Sequence, residues 1–151
     1  MKAIVKLSEK SNGLLKDSGI LVGRVGLGLS MAMAHGLGKM QNFSMVAEKF
    51  PDPIGIGSTA SLALAVFAEL VCGLLIVVGA GTRLALTQLM ATMGVAIYFH
   101  MEKLGDPLFP AKPGASSAEL AFIYLIGFTV LFITGPGRFS IDHLIVKKCG
   151  K

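Results

Sequence analysis

Four long apolar stretches decide what this chain can fold into. They run from about Gly19 to Gly38, Ala60 to Gly79, Leu84 to Phe99 and Leu120 to Thr134. A helix needs about 20 apolar residues to cross the hydrocarbon core of a bilayer, a length that the first two stretches reach. The third and fourth are a few residues short, which polar flanks and local thinning of the bilayer accommodate. We therefore predict an all-α fold, a single membrane domain of four transmembrane helices over residues 1–151.

The composition agrees with lipid rather than water as the solvent. Hydrophobic residues make up 53% of the chain and charged residues 15%, against about 25% charged residues in soluble domains. The 19 glycines suit helices that pack closely within a membrane. In a soluble domain the net charge of +5 would suggest that the protein binds nucleic acid. Here the basic residues gather at the predicted helix ends, so no nucleic-acid partner is expected.

Turn-forming residues separate the four stretches. Residues 51–53 contain two prolines and begin a loop, and the prolines of residues 107–113 exclude a helix before the fourth stretch. The connection at residues 79–83 is so short that the second and third helices must be antiparallel neighbours. Residues 135–137 end the fourth helix, and Ser116-Ser117-Ala118-Glu119 has the pattern of a capping box at its start. The predicted architecture is an up-down-up-down bundle.

The distribution of Lys and Arg predicts the orientation, because cytosolic loops carry the excess of basic residues. The two termini and the turn between the second and third helices hold nine of them, and the opposite face holds four. Both termini are therefore predicted to be cytosolic. The nine are Lys2, Lys6, Lys10, Lys16, Arg83, Arg138, Lys147, Lys148 and Lys151, and the four are Lys39, Lys49, Lys103 and Lys112.

The segment before the first helix leaves two interpretations open. A basic start, an apolar run and Ala32-Met33-Ala34 have the form of a signal peptide, although Glu9 and Asp17 in a long leading region disfavour cleavage. Alternatively, residues 1–17 form a short amphipathic helix on the membrane surface. At the other end of the chain, residues 135–151 are predicted to be a basic tail.

Three basic residues mark one face of the first helix. An ionisable side chain inside a span costs about a few kcal/mol or more, so it usually faces a partner or a cavity. At about 100° per residue, His35 lies about 20° and Lys39 about 60° from the direction of Arg24. We predict that this stripe faces the interior of the bundle. The structural alternatives are snorkelling of Arg24 and Lys39 to the membrane interfaces and a core position for His35.

Glu69 is an isolated carboxyl near the middle of the second stretch, with no neighbour in sequence that neutralises it. In a low dielectric it is either protonated or paired with a basic residue of another helix. Arg24 and His35 are the predicted partners. A proton-carrying or ligand-binding role and a purely structural ion pair both remain open.

His100 ends the third stretch on the same predicted side as His35. Two histidines with nearby carboxylates suggest a metal or a haem site. No HxxxH, CxxC or CxxCH spacing is present, so neither is predicted. Arg83, in the short turn, is foremost a determinant of topology and also a candidate ligand contact. Cys72 falls within a helix and Cys149 in the tail, positions that do not favour a disulfide.

In their order and spacing these residues resemble the DoxX family of small bacterial membrane proteins. The resemblance implies a four-helix membrane protein; relatives include a subunit of thiosulfate:quinone oxidoreductase, and others are linked to redox homeostasis alongside partner enzymes. The chain differs in its proline-rich loop before the fourth helix and its basic N-terminal segment. The residues that carry the resemblance are Arg24, residues 35–39, 69–73 and 79–83, His100 and residues 135–142.

The leading functional expectation is a redox-associated subunit in the cell inner (plasma) membrane that binds a quinone or a similar small ligand in a polar pocket. His35 or Lys39 would donate hydrogen bonds to the quinone oxygens and Glu69 would pass a proton. Electrons would come from a protein partner, because the chain shows no redox group; a homo-oligomer is also expected. The alternatives are a small transporter or lipid-handling protein, and a non-catalytic scaffold subunit. The predicted ligand-binding residues are Arg24, His35, Lys39, Glu69, Arg83 and His100.

Overall fold

Every described element of the computed structural model is a helix. The backbone is described from Lys2 to Cys149 and the side chains from Asn12 to Cys149, and within these limits there is no strand. The all-α prediction is therefore confirmed. The helices are α1 (residues 2–41), α2 (Phe43–Val46), α3 (Ser58–Val78), α4 (Thr82–Lys103), α5 (Glu119–Thr134) and α6 (Ile141–Cys149).

Three of these helices are long and apolar enough to cross a membrane. They are Asn12–Gln41 of α1 with 30 residues, α3 with 21 and α4 with 22. The third is longer than its predicted apolar stretch, because the helix continues through polar residues as far as Lys103. α5 is apolar but has 16 residues, a length of about 24 Å at 1.5 Å per residue.

α1 and α3 pack against each other in antiparallel fashion at very close range. Gly28 of α1 faces Gly73, and further along α1 Gly36 faces Leu70. Residue numbers therefore decrease along α3 as they increase along α1. A Cβ atom at Gly36 would lie 2.5 Å from the backbone nitrogen of Leu70. Glycine is therefore required at this contact, as expected where small residues let membrane helices approach.

The core continues from this contact to α4 and α5. Leu27 of α1 contacts Gly127 of α5, and Ser30 exchanges a hydrogen bond of 2.5 Å with Tyr124, so α1 and α5 also run antiparallel. One cluster of buried apolar side chains draws on α1, α3, α4 and α5. It consists of Ile20, Met31, Cys72, Ile76, Ala85, Leu86, Leu89, Met93, Tyr124, Phe128 and Leu131.

Helical structure extends toward both ends of the described chain. α1 runs without a break from Lys2, because no proline interrupts this region and isolated glycines are tolerated in a helix. The tail contains α6, a helix that the prediction left out.

The capping box predicted at the start of α5 is wrong. The residue before the helix is Ala118, whose methyl side chain accepts no hydrogen bond from the first turn. Ser116 donates its hydroxyl to Asp106 instead, at 2.6 Å. In a capping box the serine hydroxyl would accept a hydrogen bond from a backbone N–H of the first turn. Here the backbone N–H of Glu119 donates to Ser117 Oγ, at 3.4 Å.

Candidate functional site

A cavity of about 300 Å³ lies where α3 and α4 meet the end of α1 and the loop between α2 and α3. This volume is at the lower end of the range for small-ligand sites. Three of the six predicted site residues, Lys39, Glu69 and His100, line it together. The other polar lining residues are Ser61, Gln88 and Thr92, and the apolar ones are Phe50, Pro51, Pro53, Ile54, Leu64, Ala65, Ala91, Val95, Ala96 and Phe99.

An ion pair between Lys39 and Glu69 forms one part of the cavity wall. Lys39 Nζ donates to Glu69 Oε2 at 2.5 Å, and the side chains are 28% and 8% exposed. Since an ammonium carries three donors and the carboxylate takes one, Lys39 retains donors for a ligand. Glu69 lies near the middle of the 21-residue α3, so the pair introduces charge deep within the span.

The prediction that Glu69 pairs with Arg24 or His35 is wrong. The antiparallel packing places Glu69 level with the last turns of α1, next to the contact between Gly36 and Leu70. Arg24 precedes Lys39 by 15 positions, which is about 22 Å along a helix. The polar stripe predicted on α1 is therefore spread along the helix and cannot form a single site.

A second polar group joins His100 to the loop that follows α4. His100 Nδ1 lies 2.8 Å from Asp106 Oδ2, and Ser116 donates to the same oxygen. The backbone nitrogen of Asp106 also donates to the His100 carbonyl, at 2.9 Å. The hydrogen bond from Ser116, and after it that from His100, holds the pKa of Asp106 below its ordinary value. Asp106 and Ser116 were not predicted as site residues.

The loop between α2 and α3, which supplies several apolar residues of the wall, is held in shape by Asp52. Its carboxylate accepts hydrogen bonds from the backbone of Ile56 and Gly57 at 3.0 and 2.7 Å. It also accepts one from Ser61 Oγ at 2.8 Å. The bond from Gly57, followed by that from Ser61, lowers the pKa of Asp52. The loop is thereby attached to the first turns of α3.

Arg24 lies at the opposite end of the bundle and is completely buried. Its Nη1 donates to the carbonyls of Ile76 at 2.8 Å and Val77 at 3.0 Å, and its Nη2 donates to the carbonyl of Phe139. These are carbonyls of the last turn of α3 and of the segment before α6. Because the last turn of a helix leaves carbonyls without partners and carries partial negative charge, a guanidinium is well suited to this position.

Asp142 completes this end by capping α4 from the tail. Its carboxylate accepts hydrogen bonds from the backbone of Gly81 at 2.7 Å and Thr82 at 2.9 Å. Burial, the largest single influence, raises the pKa of Asp142, but these bonds and the charge of Arg24 together bring it below the ordinary value. Arg83 is close by, with its guanidinium 5.8 Å from the centre of the Phe132 ring. Arg24 and Arg83 thus lie at the end of the bundle that is opposite the cavity, and their contacts there are with the fold itself.

His35 lies one turn before Lys39 on α1 and close enough to Lys39 and Glu69 to interact with their charges, but it does not line the cavity. Its ring meets the edge of Tyr124 of α5, with centroids 5.7 Å apart, and Tyr124 exchanges the hydrogen bond with Ser30 described above. The side chain is half-buried. The structure thus places His35 at the α1–α5 contact and does not bring it into the cavity lining.

Each of the three long helices contains one π-helical turn, and each turn holds an ionisable residue of the predicted site. The turns are Met31–Gly36 with His35, Phe67–Cys72 with Glu69, and Phe99–Lys103 with His100. A π turn adds a residue and so rotates the remainder of the helix by about 100°. Such turns are frequent at functional sites. An angular projection along a regular α-helix could not have anticipated them.

Within the described residues, no three His, Cys, Asp or Glu side chains gather closely enough to hold a metal ion. Cys72 is buried and Cys149 is exposed, and neither is in a disulfide. What the cavity offers is therefore hydrogen-bond donors, acceptors and proton carriers: an ammonium, a carboxylate, an amide and an imidazole backed by a second carboxylate.

Comparison with known proteins places these residues in a family. The model of the DoxX family matches residues 19–102, a range that includes all six predicted site residues and every residue of the cavity wall. It ends before Asp106 and Ser116. A protein of Haemophilus influenzae (strain ATCC 51907 / DSM 11121 / KW20 / Rd), described as an uncharacterized protein, is 29% identical over 119 residues. The alignment covers 78% of this chain and 84% of that protein. No solved structure matches the chain.

Proposed function

The chain belongs to the DoxX family, and on that premise we propose that it is a membrane subunit that binds a quinone headgroup in the cavity between α1, α3 and α4. The observation that carries this proposal is the combination of an ion pair and a histidine on a cavity wall that is mostly apolar. A lipid-borne ligand needs an apolar enclosure for its ring and few, well-placed polar contacts for its oxygens.

The chemistry of a quinone fits the groups on this wall. Its two carbonyl oxygens accept hydrogen bonds, and reduction adds two electrons and two protons. Lys39 retains ammonium donors beyond the one bound to Glu69. In this proposal the Lys39 ammonium binds a quinone oxygen and gives it a proton on reduction, and Glu69, after taking up a proton from water, returns one to the Lys39 amine through their shared hydrogen bond. His35, which does not line the cavity, has no part in binding the ring.

The electrons must come from a partner protein with a redox group, because the chemistry of the chain's own side chains supplies none. We propose that the partner, or a second copy of this chain, docks on the membrane domain. The quinone would serve as the mobile carrier, and this subunit would supply its binding site and its proton path.

The membrane arrangement that we propose has four crossings. The contacts of α1 with α3 and α5 support an up-down bundle in which α5 is the fourth span. The excess of basic residues at the Arg24 end supports two cytosolic termini in the cell inner (plasma) membrane. The cavity would then open toward the non-cytosolic half of the bilayer.

The absence of tryptophan from the sequence allows a direct test. Phe99 lines the cavity, so a Phe99→Trp variant in detergent or lipid nanodiscs carries one indole at the site. We expect a short-chain benzoquinone to quench its fluorescence saturably. A matched reporter at Phe139→Trp, at the Arg24 end, should show only weak, linear quenching.

The same titration identifies the residues responsible. Adding Glu69→Gln or Lys39→Met to the reporter variant should weaken binding about tenfold, the effect of one lost charge-assisted hydrogen bond. Glu102→Gln, in the same π turn as His100 but outside the cavity wall, should leave it unchanged. Linear quenching at both reporters would reject the quinone site. It would leave a transporter, lipid-handling or scaffold role for the chain.

A further inference from the structure

We propose that His100 and Asp106 form a proton-accepting pair that selects the reduced, hydroxyl-bearing form of the cavity's ligand, the quinol. The inference rests on the proposed function and adds to it a substrate form, a catalytic base and a positioning residue. The observation that carries it is the pair itself, with His100 on the cavity wall and Asp106 behind it.

The hydrogen bond between the two residues determines which nitrogen of His100 carries a proton. Asp106 Oδ2 already accepts a hydrogen bond from Ser116 Oγ at 2.6 Å and lies 2.8 Å from His100 Nδ1. An ionised carboxylate can only accept hydrogen bonds. Nδ1 must therefore be the donor in this contact.

The other ring nitrogen, Nε2, is then an acceptor. In a neutral imidazole one nitrogen donates and the other accepts, and Nε2 of His100 has no hydrogen-bond partner among the described residues. A quinone presents only acceptors, so its oxygen would face a lone pair at this position. A quinol presents an O–H donor. The same quinol can accept, at its second oxygen, a hydrogen bond from Lys39.

The proton-transfer step follows from this geometry. When the quinol is oxidised and its electrons pass to the partner protein, the O–H bond breaks, its electron pair stays on the oxygen, and the proton moves to His100 Nε2. When electrons from the partner reduce the quinone, the same transfer runs in reverse, and His100 returns the proton to the oxygen. The resulting imidazolium is stabilised by the Asp106 carboxylate, which orients the ring and balances its new charge, as the carboxylate does in a catalytic triad. His100 is the catalytic base here and Asp106 the positioning residue, with Ser116 fixing the Asp106 carboxylate.

The segment that supplies the positioning residue is firmly attached to the helices on both sides. The backbone of Asp106 bonds to the carbonyl of His100 at 2.9 Å, and Ala118 bonds to the carbonyl of Pro107 at 3.0 Å. Asp106 and Ser116 both lie beyond the part of the chain that the family model matches. The proline-rich loop that distinguishes this chain therefore completes a site whose other residues lie in the family domain.

Calorimetric titration of the full-length protein with a short-chain benzoquinone and, under anaerobic conditions, with its quinol tests the inference. We expect the wild type to bind the quinol about tenfold more tightly, since an acceptor facing an acceptor forfeits one hydrogen bond. Asp106→Asn should remove this preference while quinone affinity changes by about twofold or less, and His100→Gln should remove the preference as well. Asp106→Glu should restore part of it, and Glu102→Gln is the control.

The possible results separate the two proposals. Equal affinity for both forms in the wild type, or a preference that persists in Asp106→Asn, overturns the inference and leaves the quinone site standing. Absence of binding for either form overturns both. Loss of quinone affinity together with the preference in Asp106→Asn would mean that Asp106 only maintains the fold, and it would also overturn the inference.

Discussion

Replacing Arg24 by methionine tests whether this buried cation serves the fold or a ligand. The guanidinium is completely buried and donates to three carbonyls, those of Ile76, Val77 and Phe139. Methionine fills a similar volume without donors. The Arg24→Met variant would leave these carbonyls, at the end of α3 and before α6, without their charged partner.

The magnitude can be worked out from the number of contacts. A hydrogen bond from a charged donor contributes about 1.5–3 kcal/mol, and an orphaned buried acceptor costs about 1–3 kcal/mol. The terms are not additive, and two of the three contacts are only partly buried, so we expect a net loss of about 3–5 kcal/mol. For a chain of this size that lowers the melting temperature by about 10 °C.

The assay is thermal unfolding in mild detergent. Arg138→Met is the matched control: its side chain is 69% exposed and its nitrogen lies 3.9 Å from Asp17, so its effect should be about 0–1 kcal/mol. Arg24→Lys should fall between the two, because an ammonium cannot span three carbonyls as a guanidinium does. Equal melting temperatures for Arg24→Met and Arg138→Met would refute the structural role. Lost quinone binding without lost stability would instead support the ligand role that the sequence suggested.

Three further outcomes are expected from the same contacts. Gly36→Ala should lower the melting temperature because its new methyl group meets the backbone of α3, whereas Gly38→Ala, with open space around it, should not; equal effects would contradict the close packing. Asp142→Asn should destabilise the protein at neutral pH and flatten its acid unfolding curve. The depressed pKa of this carboxyl gives stability that is present above its unfolded value of about 3.9 and is lost as the pH falls through the folded pKa; parallel curves would contradict this. Glu69→Gln should destabilise the protein more than Glu102→Gln, since it leaves the Lys39 ammonium without its opposite charge; equal melting temperatures would count against the ion pair.

The helices could be predicted from the sequence, because the length of an apolar stretch and the turn-forming residues at its ends indicate where a membrane-spanning helix lies. The short connection after Gly79 implied that α3 and α4 are neighbours, and both helices line the cavity. The fourth stretch agrees closely with α5. The end of α4 was placed too early because hydropathy ends at Phe99 while the backbone hydrogen bonds continue to Lys103. Apolar length predicts where lipid lies, and a helix can extend past that boundary.

The candidate site was only partly predictable. Glu69 was identified because a carboxyl in mid-span is costly, but its partner depends on the register between α1 and α3, which Gly36 and Leu70 determine through packing. Asp106 was noted only as one of the carboxylates near His100 and was not predicted as a site residue, because a carboxylate in a loop is ordinary. Gln88 and Thr92 did carry a signal, as polar residues four apart within an apolar helix.

The role of Arg24 shows why an ionisable residue in a span need not belong to a binding site. Helix ends leave carbonyls unsatisfied, and here one guanidinium serves two chain segments at once. From the sequence alone, Arg24 and Glu69 look alike, because burying either charge inside a span costs free energy. Only the three-dimensional structure shows that Arg24 stabilises one end of the bundle whereas Glu69 lines the cavity.

Photoaffinity labelling with an azido-benzoquinone, followed by mass spectrometry of the peptides, tests the quinone site most directly. Covalent attachment should concentrate on the residues that line the cavity, within residues 88–100 of α4 and around Lys39, and excess unlabelled quinone should suppress it. Attachment at Arg24, or a spread over the lipid-facing surface that unlabelled quinone does not reduce, would contradict the quinone site.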